Sequence, residues 1–209
     1  MSAEAEIPPH IVDAARHVLA EDGLAAATLE RISEAAGVSR MTLHRRGVSK
    51  QGILIALAER LEADYRDAYW PALVSTASGR ERLIEALSGL CEVTERNLGL
   101  HAALSAQARE EIYHDEDAGS GSMTRAAFVE PLERLLLDGA ADGSLSAGRD
   151  TAETATLLFN ATTHTYRHMR TGHGWRPERA REALIRLLTC GLADARPPAR
   201  AGDPAPRAA

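Results

Sequence analysis

Acidic side chains are missing from one stretch of an otherwise acidic chain. The 209 residues carry 30 Asp and Glu against 24 Lys and Arg, a net charge of −6, yet no acid falls between Glu34 and Glu59. Inside that gap lie Arg40, Arg45, Arg46 and Lys50, and Lys50 is the only lysine of the chain. Without these four cations the rest holds 20 basic against 30 acidic groups, or −10. A segment cleared of negative charge in a chain of that overall sign fits a surface that faces a polyanion.

Other shortages narrow the class. Aromatics make up only 4% of the chain, runs of β-branched residues are absent and no period-2 alternation stands out, whereas alanine and leucine are plentiful. This composition predicts an all-α fold. No apolar run approaches the roughly 20 residues that span a bilayer. The N-terminal MSAEAEIPPH is acidic and lacks an apolar core, so it does not read as a signal peptide. The two cysteines, Cys91 and Cys190, have no metal-type spacing and are expected to be free and reduced. The expectation is a soluble, cytoplasmic protein without a membrane partner. A Gly-rich phosphate loop, a nucleophile elbow and an H-E-x-x-H motif are all missing. The chain therefore does not read as an enzyme, and no cofactor is implied.

What is present is helical periodicity. Ile11, Ala14, Ala15, Val18 and Leu19 form one apolar stripe over Pro9 to Ala20. Gly23 closes that helix, and Thr28 caps a second with Leu29, Ile32 and Ala36 facing inward. Gly37 and Val38 make a tight turn, after which Ser39 caps a short helix, Arg40 to Arg46, with Leu43 toward the core. Ser49 caps the next, a long helix expected from Gln51 to Leu73 that ends near Trp70-Pro71. Two short helices joined by a glycine-containing turn, the second rich in cations, make a helix-turn-helix. Further helices are predicted over Arg80 to Leu98, His101 to Tyr113 and Met123 to Leu137, with a loop at Asp115 to Ser122 and a turn-rich link from Gly139 to Gly148. Asp150 and Glu153 open a helix through Arg170, and Pro177 opens a last one to Leu192.

On these residues the segment 11–54 resembles the tetracycline-repressor (TetR) family of bacterial transcriptional regulators. The resemblance is carried by Ala15, Glu21-Asp22-Gly23, Thr28, Ile32, Ala36-Gly37-Val38-Ser39, Leu43, Ser49-Lys50 and Ile53. It implies a three-helix helix-turn-helix DNA-binding head (1–50), a helical ligand-binding and dimerisation domain (51–195) and a disordered tail (196–209). Two positions depart from the family pattern. His44 stands where a phosphate-contacting tyrosine is usual, and Gly47 where a phenylalanine usually packs the recognition helix onto the head. The loss of that aromatic is expected to soften the junction, with Val48 filling part of the gap.

The implied partner is double-stranded operator DNA, near-palindromic and bound by a homodimer. Lys50 and Thr28 suit phosphates, and His44 can donate to one. Arg40 can reach guanine O6 and N7, Thr42 and Arg45 are the next candidates for base or backbone contact, and Met41 suits a thymine methyl. Ser39 is a cap first and a contact second. The resemblance further implies repression that a small-molecule effector relieves. Candidates for the effector pocket are Tyr65, Tyr69, Trp70, Leu87, Leu90, Cys91 and Thr94 from the first body helices. His101, Phe128, Phe159, Asn160 and Thr163 join them from later ones. Leu184, Leu187, Leu188 and Gly191 form the candidate dimer stripe. His164 and His168 are spaced to hold a metal, but no cysteine or paired carboxylate completes a set, so no metal is assigned and seam polarity is the preferred reading. The competing reading of the chain is a dimeric small-molecule or protein-binding module whose DNA recognition has weakened, and His44 and Gly47 are its support.

Overall fold

The computed structural model describes residues 7–107, 128–146 and 150–190, without the side chains of 103–107 and 190. The expected loop at 115–122, the tail and Gly191 lie outside these residues. Every regular element among the described residues is helical. In chain order they are α1 (Pro9–Glu21), α2 (Gly23–Ala26), α3 (Leu29–Ala35), α4 (Arg40–Arg45) and α5 (Lys50–Val74). α6 (Gly79–Arg96), α7 (Leu98–Gln107), α8 (Glu130–Ala141), α9 (Thr151–Thr171) and α10 (Pro177–Cys190) follow.

Local capping explains most of the helix starts. Pro9 opens α1 where its missing N–H costs nothing. The Thr28 hydroxyl accepts from the Arg31 amide at 3.2 Å to start α3. Ser78 and Glu81 close a reciprocal capping box on α6, and the Asp150 carboxylate accepts from the Glu153 amide at 2.9 Å to start α9.

Two helices run further than expected. α5 continues through Pro71 to Val74, because its buried face of Leu57, Leu61, Tyr65 and Tyr69 carries on to Ala72, which is fully buried. The Arg82 guanidinium donates to the Ala72 carbonyl at 2.7 Å and to that of Leu73 at 3.3 Å, so the last carbonyls are not orphaned. Packing thus outweighs the local cost of proline. α8 likewise passes through Gly139 to Ala141, with Gly139 buried against Leu145.

α1, α3 and α4 pack as the head, and α5 leads from it into the body, where it lies along α6. α6 is the body's centre, touching α8, α9 and α10. One apolar core runs unbroken from Ile11 and Leu43 in the head, through Ile53 and Leu61 of α5, to Leu132 and Phe159. A smaller cluster of Cys91, Tyr166, Ala180 and Leu184 joins α6, α9 and α10.

Head and body also meet at the elbow between α6 and α7. A Cβ on Gly99 would fall 2.3 Å from the Leu19 carbonyl oxygen, so α7 starts with its backbone pressed on the end of α1. The buried Asn97 amide donates to the Val93 carbonyl at 3.0 Å and to Asp64 at 3.3 Å. Asp64 in turn lies 3.6 Å from Arg16 of α1. We predict that Gly99→Ala lowers stability by about 1–3 kcal/mol, the cost of forcing an extra carbon between packed backbones. Urea unfolding checks this, and an unchanged midpoint would contradict the close approach.

Candidate nucleic-acid interface

The turn on either side of α4 is made twice by the same three residues, Gly-Val-Ser at 37–39 and at 47–49. After α3, Gly37 is left-handed at φ +67°, the Val38 amide donates to the Ser33 carbonyl at 3.0 Å and the Gly37 amide to that of Glu34 at 3.1 Å. After α4, Gly47 is left-handed at φ +68°, the Val48 amide donates to Leu43 at 3.0 Å and the Gly47 amide to His44 at 3.0 Å. Both are Schellman closures, which a side chain at the glycine would strain. A serine then starts the next helix each time. Ser39 Oγ accepts from the Thr42 amide at 3.1 Å, and Ser49 Oγ accepts from the Gly52 amide at 3.0 Å.

At Gly47 the missing aromatic is replaced by a backbone device and by the neighbouring valine. The glycine supplies a positive φ that closes α4, and Val48, only 7% exposed, joins the core in place of a larger side chain. The repeated tripeptide is the signal in the sequence that announces this second turn.

With Leu43 1% exposed beneath it, α4 presents Arg40, Met41, His44 and Arg45 to solvent. Met41 is 71% exposed, an unusual position for a large apolar side chain. The Thr42 hydroxyl lies 2.9 Å from that of Ser39, so it is engaged within the cap. Lys50 is exposed at the start of α5, and Thr28 is exposed at the start of α3.

Charge pairing separates this face from the rest of the head. Arg31 of α3 sits 2.9 Å from Asp22, which raises its pKa, first by their hydrogen bond and then by charge. Arg40, Arg45, Arg46 and Lys50 have no ion-pair partner among the described residues. A polyanion thus meets them without displacing a carboxylate.

In the body, the residues proposed from sequence for a ligand pocket fall into several places. Tyr65, Phe128 and Phe159 meet edge to face or tilted, with ring centres 5.2–5.6 Å apart. His101 joins them through a 3.0 Å hydrogen bond between its Nε2 and the Tyr65 hydroxyl. Burial, followed by the charges of Arg167 and His164, lowers the His101 pKa to about 4, so this imidazole is neutral near pH 7. Tyr69, fully buried, donates to the Phe128 carbonyl at 2.7 Å. Leu87 is fully buried in the main core, whereas Cys91 belongs to the smaller cluster, where burial raises its thiol to about 12. Thr94 and Thr163 turn their hydroxyls onto the Leu90 and Phe159 carbonyls of their own helices, and Asn160 turns its amide onto Thr156.

Trp70 does not join this interior and is 64% exposed. It follows the buried Tyr69 by one residue, and one helical step swings a side chain about 100° away. Sequence reasoning overlooked Thr162, which is fully buried with a hydroxyl that has no hydrogen-bond partner among the described residues. Of the dimer candidates, Leu187 is 71% exposed and Leu188 half-buried. Leu184 is 5% exposed, already covered by Cys91, Tyr166 and Ala180 of its own protomer.

Residues 11–57 match the family model of bacterial regulatory proteins, tetR family. No curated protein matches the chain in sequence. Solved structures resemble it over most of its length. A putative TetR-family transcriptional regulator from Rhodococcus sp. is 23% identical, over 87% of this chain and 96% of that one, with a TM-score of 0.69. A transcriptional regulator of the TetR/AcrR family from Thermobifida fusca is 22% identical, over 87% and 95%, with a TM-score of 0.66. The transcriptional regulator FadR from Bacillus subtilis, solved in complex with stearoyl-CoA, is 19% identical, over 88% and 98%, with a TM-score of 0.68. At these identities the likeness carries the fold of the body, while the head carries the family. The capped and closed helix-turn-helix with its cationic face is thus a head of the tetR-family type over residues 11–57, joined to a body whose fold resembles that of solved TetR-family regulators.

Proposed function

We propose that the protein is a repressor that binds a near-palindromic operator as a homodimer and is released from it by a small molecule held in the body. The observation that carries the operator part is the set of four unpaired cations on an acid-free face, beside an Arg31 that is paired. On this reading Lys50 and Thr28 flank the groove and hold phosphates, which sets affinity and register. Arg40 and Arg45 reach base edges from α4, and His44 contributes a donor to the backbone.

One head covers a short stretch of groove, so two related by a twofold axis read half-sites about one helical turn apart or a multiple of it. The seam we propose lies on the outward faces of α9 and α10. Leu157 is 62% and Leu187 71% exposed on two helices that pack on each other, and a second copy buries such side chains. Leu184 is left out, since its own protomer covers it.

The effector site we propose is the aromatic interior around Tyr65, Phe128, Phe159 and His101. FadR from Bacillus subtilis, of similar fold, is solved with stearoyl-CoA, which supports a ligand-holding role for such a body. The way out from this interior to the head runs along α7. His101 and Gly99 lie two residues apart, and Gly99 rests on Leu19 of α1. A ligand that shifts α7 therefore favours a head spacing that no longer fits successive grooves, a population shift between two arrangements.

Two outcomes are expected. Arg40→Ala should cost about 1–3 kcal/mol at the cognate site and relax base preference, whereas Lys50→Ala weakens cognate and scrambled duplexes alike. Equal effects of both variants on both duplexes, measured by fluorescence anisotropy, would contradict this division of roles. Leu187→Glu should leave a helical monomer in sedimentation analysis, while Leu184→Ala destabilises the protomer by about 2–5 kcal/mol without dissociating it. A Leu187→Glu protein that stays dimeric would place the seam elsewhere.

A further inference from the structure

The sequence draws attention to His164 and His168, one helical turn apart, but the structure pairs His168 differently. His164 Nδ1 lies 3.5 Å from an Arg167 nitrogen, a cation that would repel a metal ion. His168 instead faces His173, beyond the end of α9, with the two ring centres 5.0 Å apart and the rings perpendicular at 89°. We propose that His168 and His173 form a binding site for a divalent transition-metal ion of the zinc or nickel type.

The spacing suits that chemistry. With metal–nitrogen bonds of about 2.0–2.1 Å, two imidazoles on one tetrahedral ion have ring centres about 5 Å apart. Both side chains are exposed in the single chain, and His168, on the Leu157 face of α9, lies about three turns beyond Leu157 at the end of the helix. No hydrogen bond or ion pair to another described residue holds either ring, so each is free to turn a nitrogen toward the ion.

The backbone between the two histidines is already fixed. The Gly172 amide donates to the His168 carbonyl at 2.8 Å, and the Trp175 amide to that of Met169 at 3.0 Å. Arg170 forms a two-pronged pair with Glu95, 2.7 Å at each contact, and also donates to the Trp175 carbonyl. The pair is therefore presented on a rigid turn, which reduces the ordering cost of binding. Glu95 thereby pairs with the charge of Arg170, two residues from His168. The site lies at the C-terminal end of a 21-residue helix, where the helix dipole favours a positive charge.

Imidazole selects zinc, nickel or copper over magnesium and calcium. No group of three or more metal-type side chains occurs among the described residues, so water completes the coordination shell. A bound ion links the end of α9 to the turn that leads into α10.

Calorimetric titration of the tag-free full chain with zinc or nickel chloride, at a pH of about 8, tests this. The expected result is one ion per chain, with affinity reduced at least about ten-fold in His168→Ala and in His173→Ala. His164→Ala should bind as the parent does, magnesium should not compete, and circular dichroism should show the same helicity in all variants. Absence of saturable binding, or binding that survives in the His168→Ala/His173→Ala double variant, would overturn the assignment.

Discussion

A helix of six residues does not hold itself together in water. Forming its first turn fixes several residues for one hydrogen bond, and isolated helices are marginal even at about 12–15 residues. α4 exists because its ends are tied and its underside is sealed. Ser39 starts it, the left-handed Gly47 closes it, and Leu43 is 1% exposed in the core of the head. The direction of Arg40, Met41, His44 and Arg45 depends on these three residues. If α4 were loose, these four side chains would sweep a wide arc.

The charge arrangement has a cost that the fold tolerates. Arg40, Arg45, Arg46 and Lys50 lie close in sequence without a carboxylate among them, and like charges at this separation repel one another. In exposed positions screening keeps this repulsion small. The continuous core beneath, from Ile11 through Leu57 to Phe159, supplies the stability that the surface gives up. The same continuity means that the head is not hung from a flexible linker. α5 passes through both parts, and the Asn97–Asp64–Arg16 contacts fix the α6–α7 elbow to it and to α1.

Features set by near neighbours in the chain were legible in the sequence. Thr28, Ser39, Ser49 and Asp150 all cap the helices expected of them, because a cap involves residues two or three apart. The outline of the head was legible for the same reason. Features set by distant partners were not. α5 outruns Pro71 because Arg82, on another helix, takes its last carbonyls. Tyr65 and His101 bond across 36 positions, a pairing with no local signature. Trp70 and Leu184 show the limit of reading an amphipathic stripe. Periodicity identifies a face, but which neighbour covers it is decided by packing, and here the stripe of α10 is covered by its own protomer at Leu184 and open at Leu187. The turn at Gly47 has a local signature too, in the repeated Gly-Val-Ser.

The central claim is that an acidic protein uses one cleared, cationic face to bind duplex DNA. Measuring DNA affinity against salt concentration tests it most directly. If the exposed cations of the head neutralise phosphates and release counterions, log K falls linearly with log salt, with a slope of about −0.9 per phosphate contact, and the slope shrinks by about one contact per protomer in Lys50→Ala. An affinity that is insensitive to salt, or a slope unchanged by the loss of the only lysine, would contradict the account.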